Sequence, residues 1–177
     1  MQKKSRKRNK IKGFTLIELL IVIAIIGILA SIILVNLNGA RLRARDAERE
    51  ENIDQIYLAL EEYYSTYGCL PVTSHSTCPG ASGYLESNTG GWDYSSQGGF
   101  LTFLATSGIT SEVPVDPVNN MTGDGTSGEY AFRYYCYPAG LSMNPGLHLG
   151  YWSEATGSEV IKNVGPNGWT NTDFTCK

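Results

Sequence analysis

The sequence of 177 residues predicts an α+β fold, in which one long N-terminal helix packs its C-terminal half on a small antiparallel sheet. Three observations predict this arrangement. An apolar run occupies residues 14–37, an amphipathic helical pattern follows over residues 38–67, and side chains alternate between two faces in several segments after residue 128.

The apolar run is long enough to cross a membrane, because a helix needs about 20 mostly apolar residues to span the hydrocarbon core. Residues 1–12 before it carry seven lysines and arginines and no acid. Such a basic flank stays in the cytoplasm, so we expect the N-terminus inside and the C-terminus outside. Glu18 is the single charged residue of the run. Either it lies at the membrane surface, or it has a partner inside a protein assembly.

The helix is expected to continue through residues 38–67. Residues 40–51 are rich in charges and are interpreted as a solvated helix face. An apolar stripe at helical spacing follows, which a sheet must cover: Ile53, Ile56, Tyr57, Leu60, Tyr63, Tyr64 and Tyr67. Gly68 and Pro71 predict the end of a helix roughly 80 Å long, at 1.5 Å per residue.

Residues 68–177 are expected to form an outer globular domain. Residues 69–99 are rich in serine, threonine, glycine and proline and predict an irregular connection, and residues 100–108 predict a short helix. Alternating patterns predict strands at residues 129–138, 147–152 and 159–164. The three tryptophans are expected in the core or at an interface: Trp92, Trp152 and Trp169.

The four cysteines favour disulfides over a metal site. They are Cys69, Cys78, Cys136 and Cys176, all on the expected outer side, where disulfides persist. The sequence has no Cys-x-x-Cys and no common zinc spacing. Four cysteines allow three pairings.

Charge and motifs argue against nucleic-acid binding and catalysis. Residues 14–177 carry seven basic and 17 acidic residues, a formal net charge of −10. Nucleic-acid binding rests on basic patches, so it is not expected. His75 and His148 lie in no recognisable triad or zinc motif. The sequence therefore predicts a protein that is not an enzyme.

The segment Lys12-Gly13-Phe14-Thr15-Leu16-Ile17-Glu18, followed by the apolar run, resembles the class III signal of type IV pilins and of type II secretion pseudopilins. The resemblance implies the pilin fold. It also implies that a prepilin peptidase removes the leader, residues 1–13, by cutting after Gly13, and methylates Phe14. Residues 14–37 would span the membrane and then form the filament core, with Glu18 acting in assembly. Val35 stands where many members carry a helix-bending proline.

The resemblance implies the partners and the location. The partners would be further copies of this chain, related minor pilins, the prepilin peptidase and an inner-membrane assembly platform. The chain would lie in the cytoplasmic membrane before assembly and in an extracellular or periplasmic filament afterwards. The leading hypothesis is a subunit of a type IV pilus-like filament. The alternatives are a pseudopilin of a type II secretion system and a membrane-anchored binding domain that never polymerises.

Two further features follow from the resemblance. Cys136 with Cys176 resembles the C-terminal disulfide of the family, which would leave Cys69 to pair with Cys78. Residues 113–120 resemble a Pro-x-Asp-Pro turn of pseudopilins, some of which bind calcium in the loop that follows. Oxygen ligands for calcium could come from Asp116, Asn119 and Asp124. The other interpretation is an Asx-type turn without an ion.

Overall fold

A computed structural model describes residues 13–72, 77–79, 92–121, 129–138, 146–162 and 172–177. It contains helix α1 (Leu16–Tyr67), strand β1 (Asp93–Tyr94), helix α2 (Thr102–Thr106) and strands β2 (Arg133–Tyr137), β3 (Gly146–Ser153) and β4 (Ser158–Ile161). All neighbouring strands pair antiparallel, in the order β1-β2-β3-β4. The α+β fold expected from the sequence is confirmed.

Helix α1 is continuous over 52 residues. It runs through residues 36–39, although two asparagines and a glycine are poor helix formers. A valine at position 35 keeps the backbone N–H that a proline would remove, so the hydrogen-bond ladder is not interrupted there. The helix ends where Gly68 adopts the left-handed conformation, with φ of 69°, and donates its N–H to the carbonyl of Tyr64.

The chain divides into two compact units, residues 1–40 and 41–177. The described part of the first is the apolar length of α1. It belongs to the one helix, among the residues described, that is long and apolar enough to cross a membrane.

The second unit is built around an apolar core between the amphipathic length of α1 and the sheet. The stripe expected from the sequence is buried at Ile53, Ile56, Tyr57, Leu60 and Tyr63. From the other side, α2 contributes Phe103 and Leu104, and the sheet region contributes Phe132, Tyr134, Cys136, Leu147, Leu149 and Tyr151. Because these side chains are nearly fully buried, the hydrophobic effect holds helix and sheet together.

The strands differ from the prediction at their ends. Strand β2 begins only at Arg133, because the preceding N–H groups bond to loop side chains: Tyr130 to Asn120 and Phe132 to Ser95. In β3, Gly150 lets β4 approach, since a Cβ there would lie 2.6 Å from the carbonyl oxygen of Val160. Residues 163–164, predicted to continue β4, lie outside the described residues.

The irregular connection predicted for residues 69–99 was wrong at Asp93–Tyr94, which form the edge strand β1. Asp93 is fully buried, and its Oδ2 accepts the N–H of Leu101 at 2.8 Å. This bond secures a left-handed Leu101, with φ of 46°, immediately before α2. A two-residue strand that is held by pairing with β2 leaves no periodic signal in the sequence.

Candidate functional site

The start of α1 carries the residues that the sequence singles out. Phe14 is 90% exposed. A Cβ added at Gly13 would meet nothing within 4 Å. Glu18 lies one helical turn beyond Phe14.

Glu18 and Thr15 close a capping box at this helix end. Glu18 Oε2 accepts the backbone N–H of Thr15 and its hydroxyl, both at 2.8 Å. In return Thr15 Oγ1 accepts the N–H of Glu18 at 3.3 Å. The first N–H groups of a helix have no partner within it, and this reciprocal arrangement satisfies two of them. The pattern Thr-x-x-Glu before an apolar run is the sequence signal of this capping box.

The surface beyond Glu18 is apolar all round. Side chains that are at least half exposed follow one another from Leu16 to Ile32. The hydroxyl of Ser31 donates to the carbonyl of Ile28 at 2.7 Å, so this polar group is satisfied within the helix. An exposed apolar surface of this extent marks a membrane or protein contact.

The charge-rich residues 40–51 do not form a wholly solvated face, so that expectation was wrong for Arg49. Arg49 is fully buried and donates to Asp116 from Nε at 2.8 Å and from Nη2 at 3.1 Å. It also pairs with Asp46 at 2.8 Å and with Glu154 at 2.7 Å. We name these four residues the Arg49 cluster. Its members come from α1, from the loop before β2 and from the β3–β4 turn, which explains why sequence spacing did not reveal it.

Hydrogen bonds set the charge state of two carboxylates in the Arg49 cluster. Hydrogen bonding from Arg45 and then from Arg49 lowers the pKa of Glu154. Partial burial would raise the pKa of Asp46, but the N–H of Ala155, the hydroxyl of Ser153 and the N–H of Glu154 outweigh it and lower this pKa. Both groups are therefore held ionised at neutral pH.

The oxygens of Asp116 and Asn119 have protein partners. Besides Arg49, Asp116 Oδ1 accepts the N–H of Val118 at 2.8 Å and that of Asn119 at 3.2 Å, which is an Asx-type turn. Asn119 Oδ1 accepts the hydroxyl of Ser95 at 2.7 Å. Asp124 lies outside the described residues. Within the described ranges, no group of three histidines, cysteines or acids is arranged to hold a metal ion.

Two disulfides join Cys69 to Cys78 and Cys136 to Cys176. The second holds the C-terminal tail to β2, and Leu70 and Cys176 form a parallel bridge beside it. These are the pairings that the family resemblance implies.

Of the two histidines, His148 lies within the described residues. His148 is fully buried, with Nε2 3.1 Å from Glu159 Oε1 and its ring against Trp92 at 4.7 Å. The guanidinium of Arg133 also reaches Glu159 Oε1, at 3.2 Å, and lies 5.8 Å from the ring centre of Trp152. Trp92 and Trp152 thus help cover the sheet, whereas His75 and Trp169 lie outside the described residues.

Residues 8–34 match the family described as the prokaryotic N-terminal methylation motif. The matched residues include the segment that resembles the signal of type IV pilins and pseudopilins. Gly13, Phe14 and Glu18 lie inside this matched segment. No solved structure is significantly similar to the chain.

Three curated relatives are similar to a part of this chain. Over 61 residues, 34% of this chain, it is 43% identical to the type IV major pilin protein PilA of Myxococcus xanthus. Over 35 residues, 20% of the chain, it is 71% identical to the type IV wide pilus major component PilA4 of Thermus thermophilus. Over 58 residues, 33% of the chain, it is 40% identical to the type II secretion system core protein G of Escherichia coli. The matches span 28%, 27% and 40% of these relatives, which is less than half of each.

Proposed function

We propose that this chain is a structural subunit of a type IV pilus-like filament. The observation that carries the proposal is the continuous exposed apolar surface of α1 from Leu16 to Ile32. A single carboxylate, that of Glu18, lies in its first turn. In the membrane this surface faces lipid. In a filament the same surface packs against other copies, so one helix serves both states.

The proposal assigns a role to each segment. A prepilin peptidase removes residues 1–13 by cutting after Gly13 and methylates Phe14. Residues 14–37 span the cytoplasmic membrane with the N-terminus inside, until an inner-membrane assembly platform moves the subunit into the filament. Residues 38–67 form the amphipathic half of the helix, and residues 68–177 form the outer globular domain. The chain has a structural role and no catalytic one, and its partners are further copies and related minor pilins.

Glu18 specifies the axial register. After cleavage, Phe14 carries a charged amine at the positive end of the helix dipole. Glu18 Oε2 already accepts both Thr15 donors, and Oε1 has no partner among the described residues. Oε1 can therefore accept the Phe14 amine of a neighbouring copy while the capping box stays closed. Because an unpaired charge in a low-dielectric interior is costly, wrong registers are penalised more than the correct one is stabilised.

The test uses a strain that lacks the wild-type copy. Glu18→Ala is expected to insert and to be cut after Gly13, yet to enter filaments poorly, and Glu18→Asp is expected to be intermediate because its side chain is shorter. The readout is mass spectrometry of filaments sheared from cells, which reports subunit abundance and processing together. Assembly of Glu18→Ala at the wild-type level would contradict the assigned role.

A second candidate function is a pseudopilin of a type II secretion system. It is favoured by the 40% identity to core protein G and by the proline-rich turn around Asp116. Deletion of the chain separates the two functions. Loss of sheared surface filaments with normal secretion indicates a pilus, and loss of protein secretion with intact surface filaments indicates a pseudopilus.

A further inference from the structure

A groove of about 400 Å³ lies between the C-terminal part of α1 and the C-terminal tail. We name it the aromatic groove. Its lining is Tyr57, Glu61, Tyr64 and Ser65 from the helix, with Asp173 and Phe174 from the tail. All of these residues lie within the compact unit 41–177.

The walls of the aromatic groove suit a guanidinium group. Phe174 packs edge-on against Tyr57 at 5.9 Å and against Tyr64 at 5.1 Å, so the rings stand in fixed orientations. Aromatic faces attract cations, arginine above all, and carboxylates bind its planar fork. Glu61 supplies an exposed carboxylate with no partner among the described residues.

Arg41 is a cation with no partner among the residues that the structure describes. Seven arginines and lysines lie in the described part of residues 41–177, and five of them have contacts within the chain: Arg45, Arg49, Arg133, Lys162 and Lys177. Arg41 and Arg43 are exposed and have no partner among the described residues. Both precede the apolar stripe on the same helix as the groove.

Helix geometry distinguishes the two arginines. Successive residues turn by about 100°, so Arg41 and Glu61, 20 positions apart, point in directions about 200° apart. Arg43 and Glu61, 18 positions apart, point the same way. In a filament of parallel copies the contacts are head-to-tail, and one face of a subunit meets the opposite face of its neighbour. Arg41 meets this condition, whereas Arg43 does not.

We propose that the aromatic groove of one copy binds the guanidinium of Arg41 from a second copy, displaced along the helix axis by about 30 Å, which is 20 residues at 1.5 Å each. This inference rests on the proposed function. The contact lies outside the membrane-spanning length. It joins a different pair of copies from the Glu18–Phe14 contact, which needs an axial offset of only about 6 Å, four residues at 1.5 Å each. The Cys136–Cys176 disulfide serves this contact because it anchors the tail that forms one wall.

Charge reversal in the full-length chain tests the proposal, with sheared filament per cell as the readout in a strain lacking the wild-type copy. Glu61→Arg is expected to lower filament yield by about tenfold, since like charges then face each other across the contact. Adding Arg41→Glu to that variant is expected to restore assembly. Glu62→Arg is the matched control, because Glu62 is also exposed, carries the same charge and does not line the groove. Arg43→Glu is the control for the restoring change.

Restoration by Arg41→Glu and not by Arg43→Glu supports the proposal. It is overturned if Glu61→Arg assembles like wild type, if Glu62→Arg is equally defective, or if Arg41→Glu restores nothing. Membrane levels of each disulfide-bonded subunit, measured in the same cells, separate an assembly defect from a folding defect. If the wild-type chain is absent from filaments, both the proposed function and the Arg41 contact fail. If filaments form regardless of the charge at position 61, only the Arg41 contact fails.

Discussion

Arg49 on α1 and Asp116 in the loop before β2 form a two-point ion pair in which neither side chain is exposed. The two residues are 67 positions apart, and the pair ties the helix to a loop that contains little regular structure. Asp46 and Glu154 complete the arrangement, so one buried cation is shared by three carboxylates. Each carboxylate of the Arg49 cluster therefore has a cationic partner, and the four side chains together carry a formal net charge of −2.

Removing the cation is expected to be strongly destabilising. Arg49→Ala leaves a buried carboxylate without its partner, which lowers the free energy of unfolding by about 3–5 kcal/mol. The measurement is urea unfolding of the detergent-solubilised protein, followed by tryptophan fluorescence. Arg43→Ala is the control, because Arg43 is exposed and has no partner in the described part of the chain, and its effect should stay within about 0.5 kcal/mol. An equal effect of the two substitutions would contradict the structural role of Arg49.

Acid is expected to weaken the same cluster. The pKa values of Asp46 and Glu154 are lowered in the folded state, so the unfolded chain takes up protons first as the pH falls. Their contribution is fully present above the ordinary carboxyl values of about 4 and is lost as the pH falls through the lowered values. Unfolding by urea between pH 7 and pH 3 should show this loss. Glu154→Gln should flatten the profile, and an unchanged acid slope in that variant would count against the assignment.

The disulfides are expected to differ in their effect on stability. Cys136 and Cys176 are 40 positions apart and Cys69 and Cys78 are nine apart. Chain-entropy arguments give about 4 kcal/mol for the longer loop and about 2.5 kcal/mol for the shorter. Peptide mapping without reduction checks the pairing. Comparing the free energy of unfolding of Cys136→Ser/Cys176→Ser with that of Cys69→Ser/Cys78→Ser checks which disulfide stabilises the fold more. A Cys69–Cys176 or Cys78–Cys136 peptide would show the pairing to be wrong.

Local patterns predicted much of this fold, and long-range contacts account for the rest. The apolar stripe from Ile53 to Tyr63 and the alternation around Tyr134 are periodic, so helix and sheet could be predicted from spacing alone. The burial of Arg49 could not, because its partners Asp116 and Glu154 are brought to it only by the tertiary fold. The same holds for strand β1, which depends on pairing with β2. At the candidate site, Glu18 was predicted to act, but its bond to Thr15 was missed although the spacing was visible.

Processing is expected to depend on the small residue at position 13. Gly13→Leu places a bulky side chain beside the scissile bond and should leave an uncut, membrane-bound precursor. The intact mass of the purified subunit distinguishes a chain that begins at Phe14 from one that retains residues 1–13. Gly39→Leu is the control, since Gly39 also has open space around it and lies far from the bond. Assembled filaments whose subunits still carry residues 1–13 would contradict this prediction.

Substitution of Glu18 by glutamine separates helix capping from charge pairing. A glutamine oxygen can still accept the Thr15 N–H, so the capping box survives in Glu18→Gln while the negative charge is lost. If Glu18 acts by neutralising the Phe14 amine of a neighbouring copy, Glu18→Gln should enter filaments as poorly as Glu18→Ala. Thr15→Val makes the converse change: it removes the capping hydroxyl, worth about 1 kcal/mol, and keeps the charge. It should assemble far better than either Glu18 variant. Quantitative mass spectrometry of sheared filaments, normalised to cleaved subunit in the membrane, ranks the three variants. The reverse ranking, with Glu18→Gln near wild type and Thr15→Val defective, would show that Glu18 serves only to begin the helix.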